Sequence, residues 1–481
     1  MVSGLLQLFS TADLDRLYHG VLRVLSHTGL RVYHEEFLTA LAGTSAEVNQ
    51  PAHLVKFPEP MVEAFISEKK QKPWLPEREK PLADQKEQIG LSGVIAPFYY
   101  DYDQKQRRSP VKEDLLNIIR WADVDLDPQQ EVGLAVTLSD EDPRVEPIAA
   151  YALLLEYSRR PSSAYVLDAD QIPFLVELST VYYDHPVFPR GTDFMTSPLT
   201  FDQRLAEYTR AAIRFGKTHF DLGCMPISGS NSPVTLAGTV ILGTAELIGA
   251  ALVIRSLVPG ATFGFGCCNG YTDLRRGFTS FNSPEALLTD LGIVELVNRR
   301  FGGGASVAAG SDYIDASLPG IQVAYERVYR AMSIAAFTGG NFRLGGQGTL
   351  EAGQIFSPVQ FILEREFSEG LWRLGQGIHV DEENMALDVI DAIGPGERGS
   401  YLETEHTLHH YRQGWFPKML YRGPYEGDAI EHGRDNQMLD AAAQRYKQAI
   451  ARYVSPQIDP LKVTELHRIV EKAKMALING H

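Results

Sequence analysis

The chain has only three cysteines in 481 residues, Cys224, Cys267 and Cys268. Three thiols cannot build a disulfide framework in a chain this long, and their scarcity fits a reducing compartment. Positive charge is also in short supply: 45 lysines and arginines stand against 61 aspartates and glutamates, for a formal charge of −16. No basic run exceeds a pair or so. Nucleic-acid binders need a basic footprint, so neither DNA nor RNA is expected as a partner. The first ten residues carry no basic segment and only a short apolar stretch, so no secretory signal is expected. The longest apolar segment, Val234 to Val258, contains Glu246 and Arg255. Those charges predict a buried core helix rather than a membrane span. A Ser-His-Asp order, a GxSxG elbow, a Walker loop and a GxGxxG after a first strand are all missing. The expectation is a soluble, cytoplasmic protein that engages no membrane.

What is present, 44% hydrophobic and 22% charged residues, is globular. Up to about Lys80 the pattern is helical, with an amphipathic stripe at Leu14, Leu17, Val21, Val24 and Leu25 and a second at Phe37, Leu38 and Leu41. A short extended piece is expected at Leu54–Phe57 and a charged, proline-containing connection from Glu68 to Gln88. Beyond it, short apolar runs alternate with helical stretches. The runs are Gly93–Phe98, Gly133–Leu138, Ala164–Leu167, Val187–Phe194, His219–Pro226, Ala261–Cys268, Ala305–Ala309 and Asn341–Leu344. Such alternation predicts a parallel sheet with helices outside it, and this number of units is that of an α/β fold of the (β/α)8 TIM-barrel type. Three helix starts are marked by Ser232-Pro233, Ser283-Pro284 and Ser357-Pro358. The expected organisation is an N-terminal helical extension over 1–88, the barrel over 89–376 and a C-terminal helical extension over 377–481.

In such a barrel the active site lies at the C-terminal ends of the strands. Those ends read Tyr99 to Tyr102, Ser139-Asp140, Asp168, Asp193 to Thr196, Ser228 to Asn231, Asn269 to Tyr271, Ser311 to Tyr313 and Gly345 to Gly348, followed by Glu351 and Phe356. They are rich in tyrosine, carboxylates and small residues and poor in lysine and histidine. A quaternary ammonium has no N–H to donate, so ring faces and nearby negative charge must hold it. Tyr99, Tyr100, Tyr271, Tyr313 and Phe356 could supply such a cage, or could simply cap the barrel with wet hydroxyls. Cys224, Cys267, Cys268 and His219 lack zinc-site spacing, and adjacent cysteines on a strand point to opposite faces. They are expected as core residues, with no metal. His406, His409 and His410 have helical spacing outside the barrel and are expected to be structural.

The run Pro226 to Gly238 resembles the small-residue loop and helix start of the trimethylamine methyltransferase family. So do Ala245-Glu246-Leu247, Leu257 to Ala261, Ser311-Asp312, Ala324-Tyr325-Glu326, Leu350-Glu351, His406-Thr407-Leu408, Trp415 and Pro417, in common order over nearly the whole chain. The resemblance implies a TIM-barrel methyltransferase that passes a methyl group from a methylated amine to the Co(I) corrinoid of a partner protein, in one-carbon metabolism of the methanogenic or acetogenic kind. It implies a homo-oligomer, with no cofactor held tightly by the chain itself. Archetypal members carry pyrrolysine; this sequence has only standard residues, so it is similar to the pyrrolysine-free branch, whose substrates are quaternary amines such as glycine betaine, proline betaine or carnitine-like compounds. A quaternary ammonium leaves as a neutral tertiary amine, so no general acid is required. On this reading Asp312, Gln347 and Glu351 orient the substrate, and Arg343, Gln347 or Asn231 meets a betaine carboxylate. Two rivals stay open: a catalytically silent barrel that binds or senses a methylated amine, and a metal-dependent hydrolase on the same fold.

Overall fold

The computed structural model describes residues 6–68, 91, 95–191, 193–307, 313–338, 344–395, 399–414 and 434–479. Its first elements are α1 (Thr11–Arg23), β1 (Leu30–Val32), α2 (Glu35–Ala42), β2 (Glu47–Asn49), β3 (Leu54–Lys56) and α3 (Glu59–Glu68). Both predicted stripes are buried: Leu14, Leu17 and Val21 on α1, with Leu25 just beyond it, and Phe37, Leu38 and Leu41 on α2. Ser10 caps α1 by accepting from the Asp13 amide. The three strands pair antiparallel, and β1 also takes a parallel neighbour at 200–201 from the middle of the chain.

The middle of the chain alternates extended and helical segments. After β4 (Phe98–Asp101) and β5 (Gln106–Arg108) come α4 (Lys112–Asp125), α5 (Glu146–Tyr157) and α6 (Ile172–Tyr183), then β6 (Thr200–Phe201), the parallel partner of β1, and α7 (Gln203–Arg214). Next are β7 (His219–Cys224), β8 (Ile227–Ser228), α8 (Leu236–Arg255), β9 (Thr262–Cys267), β10 (Gly270–Asp273), β11 (Phe278–Ser280) and α9 (Pro284–Arg300). They are followed by β12 (Ala305–Val307), α10 (Ile321–Thr338), β13 (Thr349–Leu350), β14 (Ile355–Phe356) and α11 (Pro358–Gln376).

Parallel pairing runs through these segments in chain order. Leu91 bridges Val132, Ala96 bridges Val136, Val132 bridges Pro161, Tyr165 bridges Arg190, and Phe194 bridges Gly223. Ladders then join β7 to β9 and β9 to β12, and β14 returns beside β4. The described residues thus form a mixed α/β architecture of small sheets, and no closed barrel is traced among them. Three expected strands, at 133–138, 164–167 and 187–194, make single bridges instead of ladders. Pro161 and Pro189 have no amide to donate, and the Gly191 amide is spent on the Tyr208 hydroxyl at 2.8 Å. The expected run Asn341–Leu344 lies outside the described residues except for Leu344.

Helix α8 is apolar on every side and buried between α1, α9 and β7, as its composition predicts. It is long and apolar enough to cross a membrane, yet most of it is enclosed by protein. Two of the three Ser-Pro signals act as expected: Ser283 caps α9 through the Ala286 amide, and Ser357 caps α11 through the Gln360 amide. Ser232 does not start α8, which begins at Leu236; its hydroxyl is engaged by the Thr239 hydroxyl at 2.9 Å.

The rest of the chain contributes α12 (Glu382–Met385), α13 (Leu387–Ile393), α14 (Glu405–His410), α15 (Arg434–Ala451) and α16 (Pro460–Leu477). Helix α15 packs on α4 and α11, and α16 packs on α5 and α6. The anchor is Trp121 of α4, fully buried with its ring edge-on to Phe361 at 5.1 Å and to Tyr446 at 5.7 Å. Truncating such a side chain costs about 3–5 kcal/mol, so these helices share one core.

Candidate functional site

The loops that follow the parallel segments are tied into one continuous rim. On β8, Ile227 donates its amide to the Asn231 carboxamide oxygen at 2.6 Å, and Ser228 pairs with Tyr271 of β10. Tyr271 faces Ser280 across the β10–β11 hairpin. The Ser280 hydroxyl and the Phe281 amide both donate to Asp315, the latter at 3.0 Å, and the Phe281 ring lies edge-on to Tyr313 at 5.3 Å. The amides of Glu351 and Ala352 donate to the carbonyls of Ala316 and Ile314 at 2.8 and 2.7 Å. The Glu351 carboxylate pairs with Arg107 of β5 at 2.7 Å, and Phe356 of β14 pairs with Tyr99 of β4.

Eight of the ten predicted site residues therefore stand on or beside this rim: Tyr99, Tyr100, Asn231, Tyr271, Tyr313, Gln347, Glu351 and Phe356. Asp312 and Arg343 lie outside the described residues.

The eight differ in what surrounds them. Tyr99 is buried, its hydroxyl close to that of Tyr446 and its ring face covered by the Arg108 guanidinium at 4.9 Å; burial pushes its phenol up to about 12. Arg108 is itself held by Asp114 at 2.6 and 2.7 Å and by Asp101 at 3.1 Å. Tyr100 is buried among Ile314, Val323, Leu350 and Ile355. Phe356 packs on Phe361 and is 1% exposed. Gln347 donates to the nearby Leu344 carbonyl. Asn231, Tyr271, Tyr313, Gln347 and Glu351 keep part of their surface open, unlike Tyr99, Tyr100 and Phe356.

What grips the rim from behind is a set of buried carboxylates, one from each of five helices. Glu146 of α5 accepts from the Leu138 amide at 2.8 Å and from the Tyr165 hydroxyl. Glu246 of α8 accepts from the Ser197 hydroxyl and the Leu199 amide, both at 2.9 Å. Asp290 of α9 accepts from the Asn269 amide at 2.7 Å, and Glu326 of α10 accepts from the amides of Asp315 and Ala316 at 2.7 and 3.1 Å. Glu364 of α11 accepts from the Gly348 amide at 2.6 Å. Backbone donors that would otherwise be orphaned at strand ends are satisfied this way, and the loops gain one fixed conformation.

Two of these acids are paired with arginines of α10. Arg330 lies 3.1 Å from Asp290 and also donates to the Phe281 carbonyl. Arg327 lies 3.1 Å from Glu364 and donates to the carbonyls of Gly346 and Thr349 at 2.6 and 2.8 Å. Burial pushes Asp290 up to about 7 against the pull of Arg330, and pushes Glu246 up to about 7 against its hydrogen bonds. Gly348 shows how tight this corner is: its φ of +78° suits glycine, and a Cβ there would come within 2.8 Å of Phe361 and 2.9 Å of Phe356.

Of these supports, the sequence reading flagged only Glu246, as a charge in an apolar segment, and Glu326, within a motif. For Glu146 and Asp290 the signal available was that of Glu246, an acid within an apolar stretch of helix; Glu364, in Glu364-Arg365-Glu366, gave none. Among the described residues no group of three His, Cys, Asp or Glu side chains could hold a metal ion. Cys224 is buried against α8 while His219, five residues earlier on the same strand, is exposed on the opposite face.

Compared with known proteins, residues 3–477 match the family described as trimethylamine methyltransferase (MTTB). Glycine betaine methyltransferase of Desulfitobacterium hafniense (strain Y51) is 27% identical over 380 residues, 77% of each chain. Trimethylamine methyltransferase of Methanosarcina barkeri is 25% identical over 490 residues, 98% of this chain and 96% of its own. Its counterpart in Desulfitobacterium hafniense (strain DSM 10664 / DCB-2) is 24% identical over 484 residues, covering 97% and 94%. The match runs through every element that builds the rim, and the chain belongs to the trimethylamine methyltransferase family.

Proposed function

We propose that this chain moves a methyl group from a quaternary amine of the betaine type to a Co(I) corrinoid carried by a separate protein. The observation that carries the reading is the rim itself. In a member of this family it presents the half-open rings of Tyr271 and Tyr313 and the amide of Asn231, with no lysine among them. A glycine betaine methyltransferase among the relatives points to the same substrate class.

The corrinoid supplies a nucleophilic cobalt that accepts the methyl group. The small residues of the rim, among them Gly229 with φ of 83° and Gly346 with φ of 56°, suit close approach by such a flat, bulky partner group. Everything else falls to this chain. The rings of Tyr271 and Tyr313 hold the cation by their quadrupoles. With its Oδ1 engaged by the Ile227 amide, Asn231 offers its NH2 to a carboxylate tail. Asp312 and Arg343 keep the roles expected of them, a counter-charge and a carboxylate partner. Tyr100, packed with Ile314 and Leu350, forms the wall behind, and Tyr99 and Phe356 back it from the other face of the sheet, in the core with Phe361. Because the leaving group departs as a neutral tertiary amine, an acid-base dyad is not needed, and the work reduces to positioning.

The same proposal keeps the expected eight-stranded barrel over 89–376, with 1–88 and 377–481 as its extensions. A Co(I) acceptor calls for a reducing compartment, the cytoplasm, and three buried cysteines with no disulfide between them fit one.

The test is demethylation of a panel of quaternary amines with a reduced corrinoid acceptor, followed through the cobalt spectrum. Conversion to methyl-Co(III) with one betaine is the expected result. Silence across the panel, with the acceptor shown to be competent, would favour a protein that only binds a methylated amine.

A further inference from the structure

The rim is not electrically even. On one side a hairpin projects past the end of β9. Its strands β10 and β11 pair from Tyr271 opposite Ser280 to Asp273 opposite Phe278, and the chain turns over 274–277. The tip is fixed from within. The Asp273 carboxylate accepts from the Arg275 amide at 3.0 Å, its carbonyl accepts from the Gly277 amide at 2.8 Å, and Gly277 has the φ of +67° that the turn needs. The Thr272 and Thr279 hydroxyls meet at 3.0 Å. A hairpin held this firmly nevertheless leaves its apolar side chains uncovered, with Leu274 68% and Phe278 53% exposed. The side chains of Arg275 and Arg276 are 90% and 85% exposed and share a single carboxylate, that of Asp273, at 3.0 and 4.0 Å. The tip is therefore apolar and net positive, on a chain whose formal charge is −16.

Elsewhere the rim carries the opposite sign. The loops that follow the extended segments 133–138 and 164–167 expose Asp140, Asp168 and Asp170. Asp140 accepts from the Lys112 amide at 3.2 Å and Asp168 from the Asp170 amide at 3.1 Å. None of the three forms an ion pair with a lysine or arginine among the described residues. In the order of parallel pairing, the 187–194 segment and β7 stand between these loops and β9. The rim is thus cationic and apolar at the hairpin and anionic at a distance from it.

We propose that the β10–β11 hairpin grips the protein that carries the corrinoid, through an acidic surface with an apolar patch beside its cofactor, while Asp140, Asp168 and Asp170 face a basic surface on the same protein. This assignment rests on the methyl-transfer reading and adds the place and the orientation of the acceptor protein. Three observations favour this occupant. The hairpin shares β10 with Tyr271, and its base is tied to Asp315 through the Ser280 hydroxyl and the Phe281 amide. A protein that brings cobalt to a methyl group held at Tyr271 must therefore lie against the tip. Arginine and phenylalanine are enriched at the centres of protein interfaces, and here both stand open on a rigid turn. The two signs also fix a direction: in the correct pose each end meets its opposite, and in the reversed pose like charges oppose each other. A tightly closing chemistry that tolerates only one approach to the methyl group gains from such a guide.

The experiment is methyl transfer at varied concentrations of a Co(I) corrinoid protein and, separately, to free cob(I)alamin. The wild type is compared with Arg275→Glu/Arg276→Glu and with Leu274→Ser/Phe278→Ser, each checked for unchanged circular dichroism. Both variants should raise KM for the corrinoid protein at least about ten-fold, with KM for the amine and the rate with free cob(I)alamin within about two-fold of wild type. Asp170→Lys should raise the same KM by a smaller factor. In the wild type, kcat/KM for the corrinoid protein should fall as ionic strength rises, and reversing the two arginines should flatten that slope. A KM for the corrinoid protein that ignores both hairpin variants would overturn the inference. So would an equal loss with free cob(I)alamin, which makes the tip part of the amine site, or a change in the solution mass of the chain with KM untouched, which gives the tip to a second copy. A wild type silent with both acceptors fails the methyl-transfer reading itself; one active with both and indifferent to the tip fails only the docking assignment.

Discussion

Tyr99 and Tyr271 are each the second residue of a four-residue strand, β4 and β10, that ends in an aspartate. In the fold they have little in common. Around β4 and β14 the rings and charges are covered from within: Arg108 covers the Tyr99 ring, Tyr446 stands beside its hydroxyl, Arg107 meets Glu351, and Phe356 is packed on Phe361. Around β8, β10 and β11 the backbone is fixed just as firmly, but Asn231, Tyr271 and Tyr313 stay partly open. The difference teaches that an aromatic at the rim is a ligand candidate only if its surface is not already closed over by a cation and the core. One side of the rim is wall and the other is surface. Substitutions can break that division or sharpen it.

The largest effect is expected where the wall is held. Arg327→Met leaves Glu364 buried without its partner and strips a donor from the Gly346 and Thr349 carbonyls. Removing one member of a buried ion pair costs about 3–5 kcal/mol, and chemical denaturation should show a loss of that size. The pair replaced together, Arg327→Met with Glu364→Leu, should recover part of it. A loss below about 1 kcal/mol in the single variant would mean that these ions do not hold the rim.

The next effect separates holding a loop from carrying a charge. Glu246 is held at about 7 by burial, against an ordinary 4.5. Between those values the folded chain keeps a proton that the unfolded chain has lost. The stability contributed by the protonated form is therefore full below pH 4.5 and is lost as pH rises through 7. Glu246→Gln has no such loss, and it can still accept from the Leu199 amide. The difference in stability between variant and wild type should grow across pH 4.5 to 7, by at most about 3 kcal/mol, and then level off. Asp290 titrates in the same window but cancels in the difference. Thermal melts at a series of pH values would check it; a difference that is flat in pH would show that Glu246 is ionised in the fold.

How much of this could be read from the chain depended on the range of the interactions. The stripes of α1 and α2, the core character of α8 and the caps at Ser283 and Ser357 are local patterns, and they were legible. Ser232 failed as a cap because its hydroxyl finds Thr239 seven residues on. The position of the rim was also legible, since it needs only the order of strands. The division of the rim was not. That Arg108 lies over Tyr99, or that Tyr446 reaches it from α15, is set by contacts across the fold that no spacing in the sequence announces. The five buried carboxylates fall between these cases: Glu246 was conspicuous in its apolar helix, whereas Glu364 sits among other charges in Glu364-Arg365-Glu366 and does not stand out.

A smaller effect tests the open side directly. Tyr271→Ala should lower kcat/KM for the amine about ten-fold, equivalent to about 1.4 kcal/mol, with little change in melting temperature. Tyr99→Phe, which keeps the buried ring under Arg108, should leave activity intact and change stability by less than about 1 kcal/mol.

The smallest effect is the one with most power to upset the comparison. Arg107 and Glu351 meet at 2.7 Å with side chains 44% and 42% exposed. Pairs this open contribute about 0–1 kcal/mol and are screened by salt, so Arg107→Ala should barely change the unfolding free energy. Its effect on methyl transfer depends on what Glu351 does. If the β4–β14 side is wall, freeing the carboxylate changes nothing that the substrate feels, and kcat/KM stays within about two-fold of wild type. If Glu351 instead faces the cation, the variant gains negative charge at the rim, KM for the quaternary amine falls, and the gain fades as ionic strength rises. A salt-sensitive fall in KM would therefore move Glu351 to the open side, and with it the boundary between wall and surface.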